Sequence, residues 1–195
     1  MDYVTIPLFS TPVYSTKIDV SSCPNLESVD WEESHGHHMS RDNFLLDQTV
    51  WQSLKTQIMF HMEQFFYREL RASPDCKINM TTSVANKNYP AQSHPRHSHA
   101  NSIISGCVYF DYHPAKIRFV RRSYNQIKYD MTDYNYFNSE VWEIAPEPGL
   151  LLMWPSELEH EVEAADAKTP VRYSIAFNSW LSGDVNTFKL ALLRL

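Results

Sequence analysis

His97 and His99 stand two apart in the stretch Pro90 to Asp111, PAQSHPRHSHANSIISGCVYFD, at the mouth of an apolar, β-branched run. Residues i and i+2 of a strand point to one face, so the spacing predicts two imidazoles side by side at the start of a strand. A third, His160, lies far along the chain, followed by Arg172 and, at same-face spacing, by Ser174. Three protein ligands on one face of a coordination sphere leave three positions open for a co-substrate and dioxygen. An inward-facing arginine grips a carboxylate by two parallel hydrogen bonds, and a hydroxyl beside it adds a third. His97, His99, His160, Arg172 and Ser174 therefore read as a metal site with a dicarboxylate pocket next to it. Arg172 has a plainer reading too, an ion pair to Glu161 or Glu163. His94, at odd spacing from His97, is expected outside the ligand set. His35, His37 and His38 in SHGHHMSRD are further candidates, but nothing around them is patterned to hold them rigid, and a solvated loop is the expectation there.

The elements that must position these groups follow from periodicity. Residues 3–19 are β-branched and aromatic but twice interrupted by proline, which predicts an edge strand. From Asp47, Val50, Leu54, Ile58, Met62, Phe65, Phe66 and Leu70 recur at helical spacing. That predicts one long helix, N-capped by Asp47, stopped at Ser73-Pro74 and covering one face of a sheet. Ile78, Met80, Thr82 and Val84 alternate as in a half-buried strand. Further strands are expected at 103–110, 117–122, 139–146, in LLLMWP, in EHEVEA and in VRYSIAFNSWL, with Pro146-Glu147-Pro148-Gly149 as a turn. Short strands joined by turns argue for an antiparallel sandwich or barrel. The polar, Tyr- and Asn-rich stretch from Ser123 to Asn138 is either a lid or a surface hairpin insertion.

Composition narrows the class. The 195 residues, 43% of them hydrophobic, suffice for one sizeable core and a single domain. The formal charge of −6 argues against a broad nucleic-acid surface, leaving only a local patch such as Arg118, Arg121 and Arg122. Four glycines leave no phosphate-binding glycine loop, and Cys23, Cys76 and Cys107 read as reduced thiols. With no apolar run of membrane length and no leader pattern in MDYVTIPLF, a cytoplasmic protein is expected.

The segments HSHANSIISGCVYF, PGLLLMWPSELEHEV and RYSIAFN together resemble the 2-oxoglutarate/Fe(II)-dependent oxygenases, in particular a subgroup with H-x-H-x-N-S-x-x-S-G and R-x-S-x-x-F-N motifs. The likeness runs from about Tyr89 to Asn178, and the opening IPLFSTPVY is similar as well. It implies a mostly β double-stranded β-helix (jelly roll, cupin-like) with the long N-terminal helix packed on one sheet. On that view residues 1–75 are support, 76–182 the jelly-roll core and 183–195 a tail. It also implies Fe(II) at His97, His99 and His160, with 2-oxoglutarate held by Arg172 and Ser174. The family's usual motif is H-x-D or H-x-E, so His99 stands at the carboxylate position; either it ligates, which is the favoured reading, or water fills its place. Asn101 and Asn178 either orient the ligands and co-substrate or cap turns. Tyr89 and Tyr109 are candidates to donate a hydroxyl to 2-oxoglutarate, with a core role expected for Tyr109.

The expected activity is hydroxylation of a C–H bond, in a peptidyl side chain such as proline or in a small metabolite, with dioxygen as co-substrate and release of succinate and CO2. Two other readings stay open: a three-His cupin dioxygenase that does not use 2-oxoglutarate, and a non-catalytic jelly-roll binding module. The first strand and the C-terminal FKLALLRL are each candidates for a homodimer interface.

Overall fold

In chain order the strands are β1 (Tyr14–Lys17), β2 (Trp31–Ser34), β3 (His37–Ser40), β4 (Cys76–Asn88), β5 (His94–His97), β6 (Ile104–Tyr109), β7 (Ile117–Val120), β8 (Val141–Ile144), β9 (Leu150–Pro155), β10 (His160–Val162), β11 (Arg172–Asn186) and β12 (Leu193–Arg194), with the helix α1 (Gln52–Glu63) before β4. The computed structural model describes all residues except 1–2, 35, 122–128, 187 and 189–190. The strands form two antiparallel sheets, a large one ordered β1-β9-β6-β11-β4-β3-β2, with β12 added to β11, and a small one ordered β5-β10-β7-β8. This is the double-stranded β-helix of a jelly roll.

Two apolar clusters account for the layering. Ile104 and Val108 of β6, Leu151 and Met153 of β9, and Ile175 and Phe177 of β11 face α1, where Leu54, Ile58 and Met62 are buried against them. The alternate residues of the same strands, Cys107, Tyr109, Leu150, Leu152 and Trp154, meet Ile117, Phe119 and Val162 of the small sheet. A sheet covered on both faces needs apolar side chains on both, and β6 is accordingly buried along its whole length.

The turn before β9 depends on Gly149. Its φ of +75° is left-handed, and a Cβ there would stand 2.4 Å from the Ile18 carbonyl oxygen.

Several expectations need correcting. Asp47 does not cap the helix: two 3-10 turns, Leu45–Asp47 and Thr49–Trp51, precede α1, and the N-cap position is Trp51, without a side-chain cap. Burial of Leu45, Leu46 and Trp51 sets this lead-in, while Val50 is 63% exposed. Beyond Glu63 the helix widens into a π-helical segment, Gln64–Glu69. It ends at Glu69 with Leu70 as C-cap, and Arg71 just beyond has φ +57°, before the Ser73-Pro74 pair is reached. The stretch read as a loop around His37 and His38 is instead the β2–β3 hairpin, which extends the large sheet beyond β4. Lys87 of β4 fastens that hairpin: its ammonium pairs with Glu27 at 2.8 Å and lies between the rings of Trp31, Tyr89 and Tyr173. Of the stretch proposed as a lid, residues 123–128 lie outside the described residues. The remainder is bends and turns with Tyr136 stacked on Trp142. Arg118 is no free basic patch, since it pairs with Glu143, Glu161 and Glu163, and Arg122 is not described. No helix among the described residues is long and apolar enough to cross a membrane.

Candidate metal centre

His160 opens β10 and lies opposite His97, the last residue of β5, so the sheet register alone brings two imidazoles together. His99 arrives differently from the sequence expectation. It lies beyond the end of β5, in the link to β6, and no strand periodicity aims it. Its backbone N–H instead donates to the Ser156 carbonyl at 2.9 Å, which ties the link to the end of β9. Ser156 is held by a run of side chains: its hydroxyl meets Ser102 at 2.7 Å and Ser105 at 2.8 Å, Ser105 donates to Asn178 at 2.7 Å, and Asn178 donates to Thr82 at 3.1 Å. The three rings converge, with centroid separations of 5.1 Å (His97–His99), 4.3 Å (His97–His160) and 5.1 Å (His99–His160). One ring nitrogen from each lies within 4.8 Å of the others.

Hydrogen bonding fixes the tautomers. His97 Nδ1 lies 2.7 Å from the Pro95 carbonyl and His160 Nδ1 lies 3.0 Å from the Leu158 carbonyl. A carbonyl only accepts, so both Nδ1 atoms carry a proton, which leaves Nε2 as the nitrogen each ring can offer to a metal. Burial, reinforced by the His97 ring, pushes His99 down to about 4. His160 is likewise pushed down to about 4, mainly by burial and against the opposing effect of its bond to Leu158. These rings are neutral near pH 7 and need no proton removed before binding a cation. The Nε2 atoms of His99 and His160 are 3.3 Å apart; adjacent ligand positions around an octahedral ion with bonds of about 2.1 Å would be about 3.0 Å apart.

A cavity of about 340 Å³ lies beside the rings, between the two sheets, with Val84, Ile117, Trp154 and Val162 among its apolar walls. Arg172 and Ser174 line it from β11, and both are 4% exposed. Arg172 Nη2 donates to Asn88 Oδ1 at 3.1 Å, but Nε and Nη1 are buried without a hydrogen-bond partner. A buried guanidinium left this incomplete calls for an anion, and Arg172 makes no ion pair with Glu161, which turns to Arg118 and Arg96 at 3.1 and 3.4 Å. Tyr109 also lines the cavity, and burial holds its hydroxyl well above the ordinary tyrosine range. The donor set thus fits a divalent cation on three imidazoles with a dicarboxylate reaching Arg172.

Two of the named residues stand elsewhere. Tyr89 is 41% exposed and packs against His38 and Lys87, outside the cavity lining. Asn101 is an exposed turn residue with φ +55°, a conformation that asparagine tolerates, and does not line the cavity either. Sequence reasoning missed the cavity's second histidine pair, His37 and His94, whose rings are 4.1 Å apart. The signal for His94 was hidden by a register shift between β5 and β10: His160 faces His97 but Val162 faces His94. Such a bulge lets residues three apart share a face, so both His94 and His97 reach the cavity.

Residues 83–178 match a protein-family profile described as "Putative 2OG-Fe(II) oxygenase". No curated protein matches the chain. Among solved structures, the fold resembles an oxidoreductase of the 2OG-Fe(II) oxygenase family from Burkholderia pseudomallei, with TM-score 0.56, 11% identity, and 78% of this chain and 72% of that one covered. It also resembles HygX from Streptomyces hygroscopicus, solved with nickel and 2-oxoglutarate bound, with TM-score 0.57, 8% identity, and 87% of this chain and 83% of that one covered. At such identities the likeness is one of fold. The sequence match is what bears on activity, and it spans all three converging histidines and the incomplete guanidinium behind them. Over residues 83–178, which hold His97, His99, His160, Arg172 and Ser174, the chain matches the 2-oxoglutarate/Fe(II)-dependent oxygenases, enzymes that take Fe(II), 2-oxoglutarate and dioxygen.

Proposed function

We propose that the chain hydroxylates a C–H bond of a small metabolite or of a peptidyl side chain such as proline. His97, His99 and His160 hold Fe(II), and Arg172 and Ser174 hold the distal carboxylate of 2-oxoglutarate. The observation that carries this reading is the convergence of three imidazole nitrogens beside a buried arginine with two unpartnered nitrogens. Bound Fe(II) supplies the redox chemistry that couples decarboxylation of 2-oxoglutarate, to succinate and CO2, with oxidation of the substrate.

The chain's own residues bind, orient and exclude water. Pro95 and Leu158 carbonyls hold the His97 and His160 rings with Nε2 toward the metal position. Arg172 and Ser174 orient the co-substrate, and Trp154, Ile117 and Val162 keep the cavity dry. No protein acid or base is required for the oxidation. An all-imidazole face also suits a dioxygenase that does not use 2-oxoglutarate, with Arg172 then gripping the substrate's own carboxylate.

Anaerobic Fe(II) with added 2-oxoglutarate separates the two. A weak visible charge-transfer band appears if the keto acid chelates the iron, and its absence favours the second. Substitution of Arg172 with Ala is expected to raise the 2-oxoglutarate requirement at least 100-fold, and an unchanged requirement defeats the co-substrate assignment.

A further inference from the structure

Asn88, the last residue of β4, lies opposite Arg172, the first residue of β11, and is 4% exposed. Its Oδ1 accepts from Arg172 Nη2 at 3.1 Å and stands 3.1 Å from His94 Nε2. A guanidinium only donates, so the shared atom is the amide oxygen, and His94 Nε2 must then carry the proton it offers to that oxygen. One neutral carbonyl therefore takes donors from β11 of the large sheet and β5 of the small sheet, closing the cavity wall behind the arginine. Burial pushes His94 down to about 2, with the neighbouring His37 and Arg172 adding to the effect, in keeping with a neutral ring in that role.

A neutral acceptor holds a guanidinium without neutralising it. The only acid lining the cavity among the described residues is Glu161, already paired with Arg118 and Arg96. Arg172 therefore keeps its full charge, with Nε and Nη1 unpartnered, for a ligand. We propose that Asn88 is a positioning residue for 2-oxoglutarate: its carbonyl aims the Arg172 fork and, being uncharged, leaves that fork free to select the distal carboxylate. This rests on Arg172 being the co-substrate anchor. Asn88 itself is outside the cavity lining and acts through Arg172.

The variant that isolates the idea is N88D, which preserves size and the accepting oxygen but sets a carboxylate against the guanidinium. Wild type, N88D, N88A and R172A are loaded anaerobically with Mn(II) and titrated calorimetrically with 2-oxoglutarate and with 2-oxopentanoate, which has the same length but no distal carboxylate. Free Mn(II) measured by electron paramagnetic resonance gives the metal affinity of each. The expected result is a loss of 2-oxoglutarate affinity of at least 30-fold in N88D and 3- to 10-fold in N88A. Mn(II) affinity stays within twofold, and the N88D penalty disappears for 2-oxopentanoate.

If N88D fails to fold, N88A carries the same comparison. Unchanged affinity in both Asn88 variants, with R172A losing it, overturns the role of Asn88 and leaves the anchor standing. Unchanged affinity in R172A overturns the anchor itself. Equal losses for the two keto acids, or a parallel loss of Mn(II) affinity, would make Asn88 a general structural residue and overturn the proposal.

Discussion

His99 occupies the position where the family pattern has a carboxylate, and its ring nitrogen sits 3.3 Å from that of His160. A neutral ligand there leaves a bound divalent ion one unit more positive than a carboxylate would, which favours anionic partners. H99A is expected to weaken Fe(II) binding by 10- to 100-fold, while H99D, with a donor of the usual type, retains binding; equilibrium titration with Mn(II) checks both. The depressed histidines also set a pH response. Their folded-state values lie below the ordinary 6.5, so on acidification the unfolded chain takes up protons that the folded chain does not. Stability of the metal-free protein therefore falls as pH drops from about 6.5 towards 4, where His160, buried at 6% exposure, contributes about 1.4 kcal/mol per pH unit. Melting curves between pH 7.5 and 4.5 should show this slope, and H94Q should make it shallower. His97, His160, Arg172 and Ser174 were legible as single residues because their types and spacing are unusual in an apolar β context. The pairing of His37 with His94 and the place of Asn88 beside Arg172 were not, because only long-range strand pairing creates them.

At the scale of elements, strand positions could be read from alternation, since β6, β7, β9 and β11 bury the residues that the pattern marked. The failures have local causes. The β5 bulge breaks the two-residue period, and His99 is aimed by the Ser156 carbonyl rather than by a pleat. The polar residues of β2 and β3 masked a hairpin that Lys87 holds to the sheet from outside. Gly106 marks a close crossing within the large sheet: a Cβ there would lie 2.3 Å from the Phe177 ring and 2.7 Å from the Leu152 carbonyl oxygen. G106A is expected to cost about 1–3 kcal/mol through overpacking, measured by denaturant titration.

For the whole molecule, a helix, a large sheet and a small sheet divide the labour. The helix-facing cluster supplies stability, and the cavity lies on the other side of the large sheet. I58A, at a fully buried site, is expected to lose about 2–5 kcal/mol of stability while Mn(II) affinity changes less than twofold. A matching loss of metal affinity would show that the layers do not act separately. Arg96, Glu161, Arg118, Glu143 and Lys116 pair in a row across the small sheet, so these charges largely satisfy one another. The backbone bond from His99 to Ser156 and the chain of hydroxyls beneath it involve no metal at all. The ligand loop is therefore preorganised: the His99 amide should resist hydrogen–deuterium exchange before any cation arrives, and loading should cost little ordering entropy.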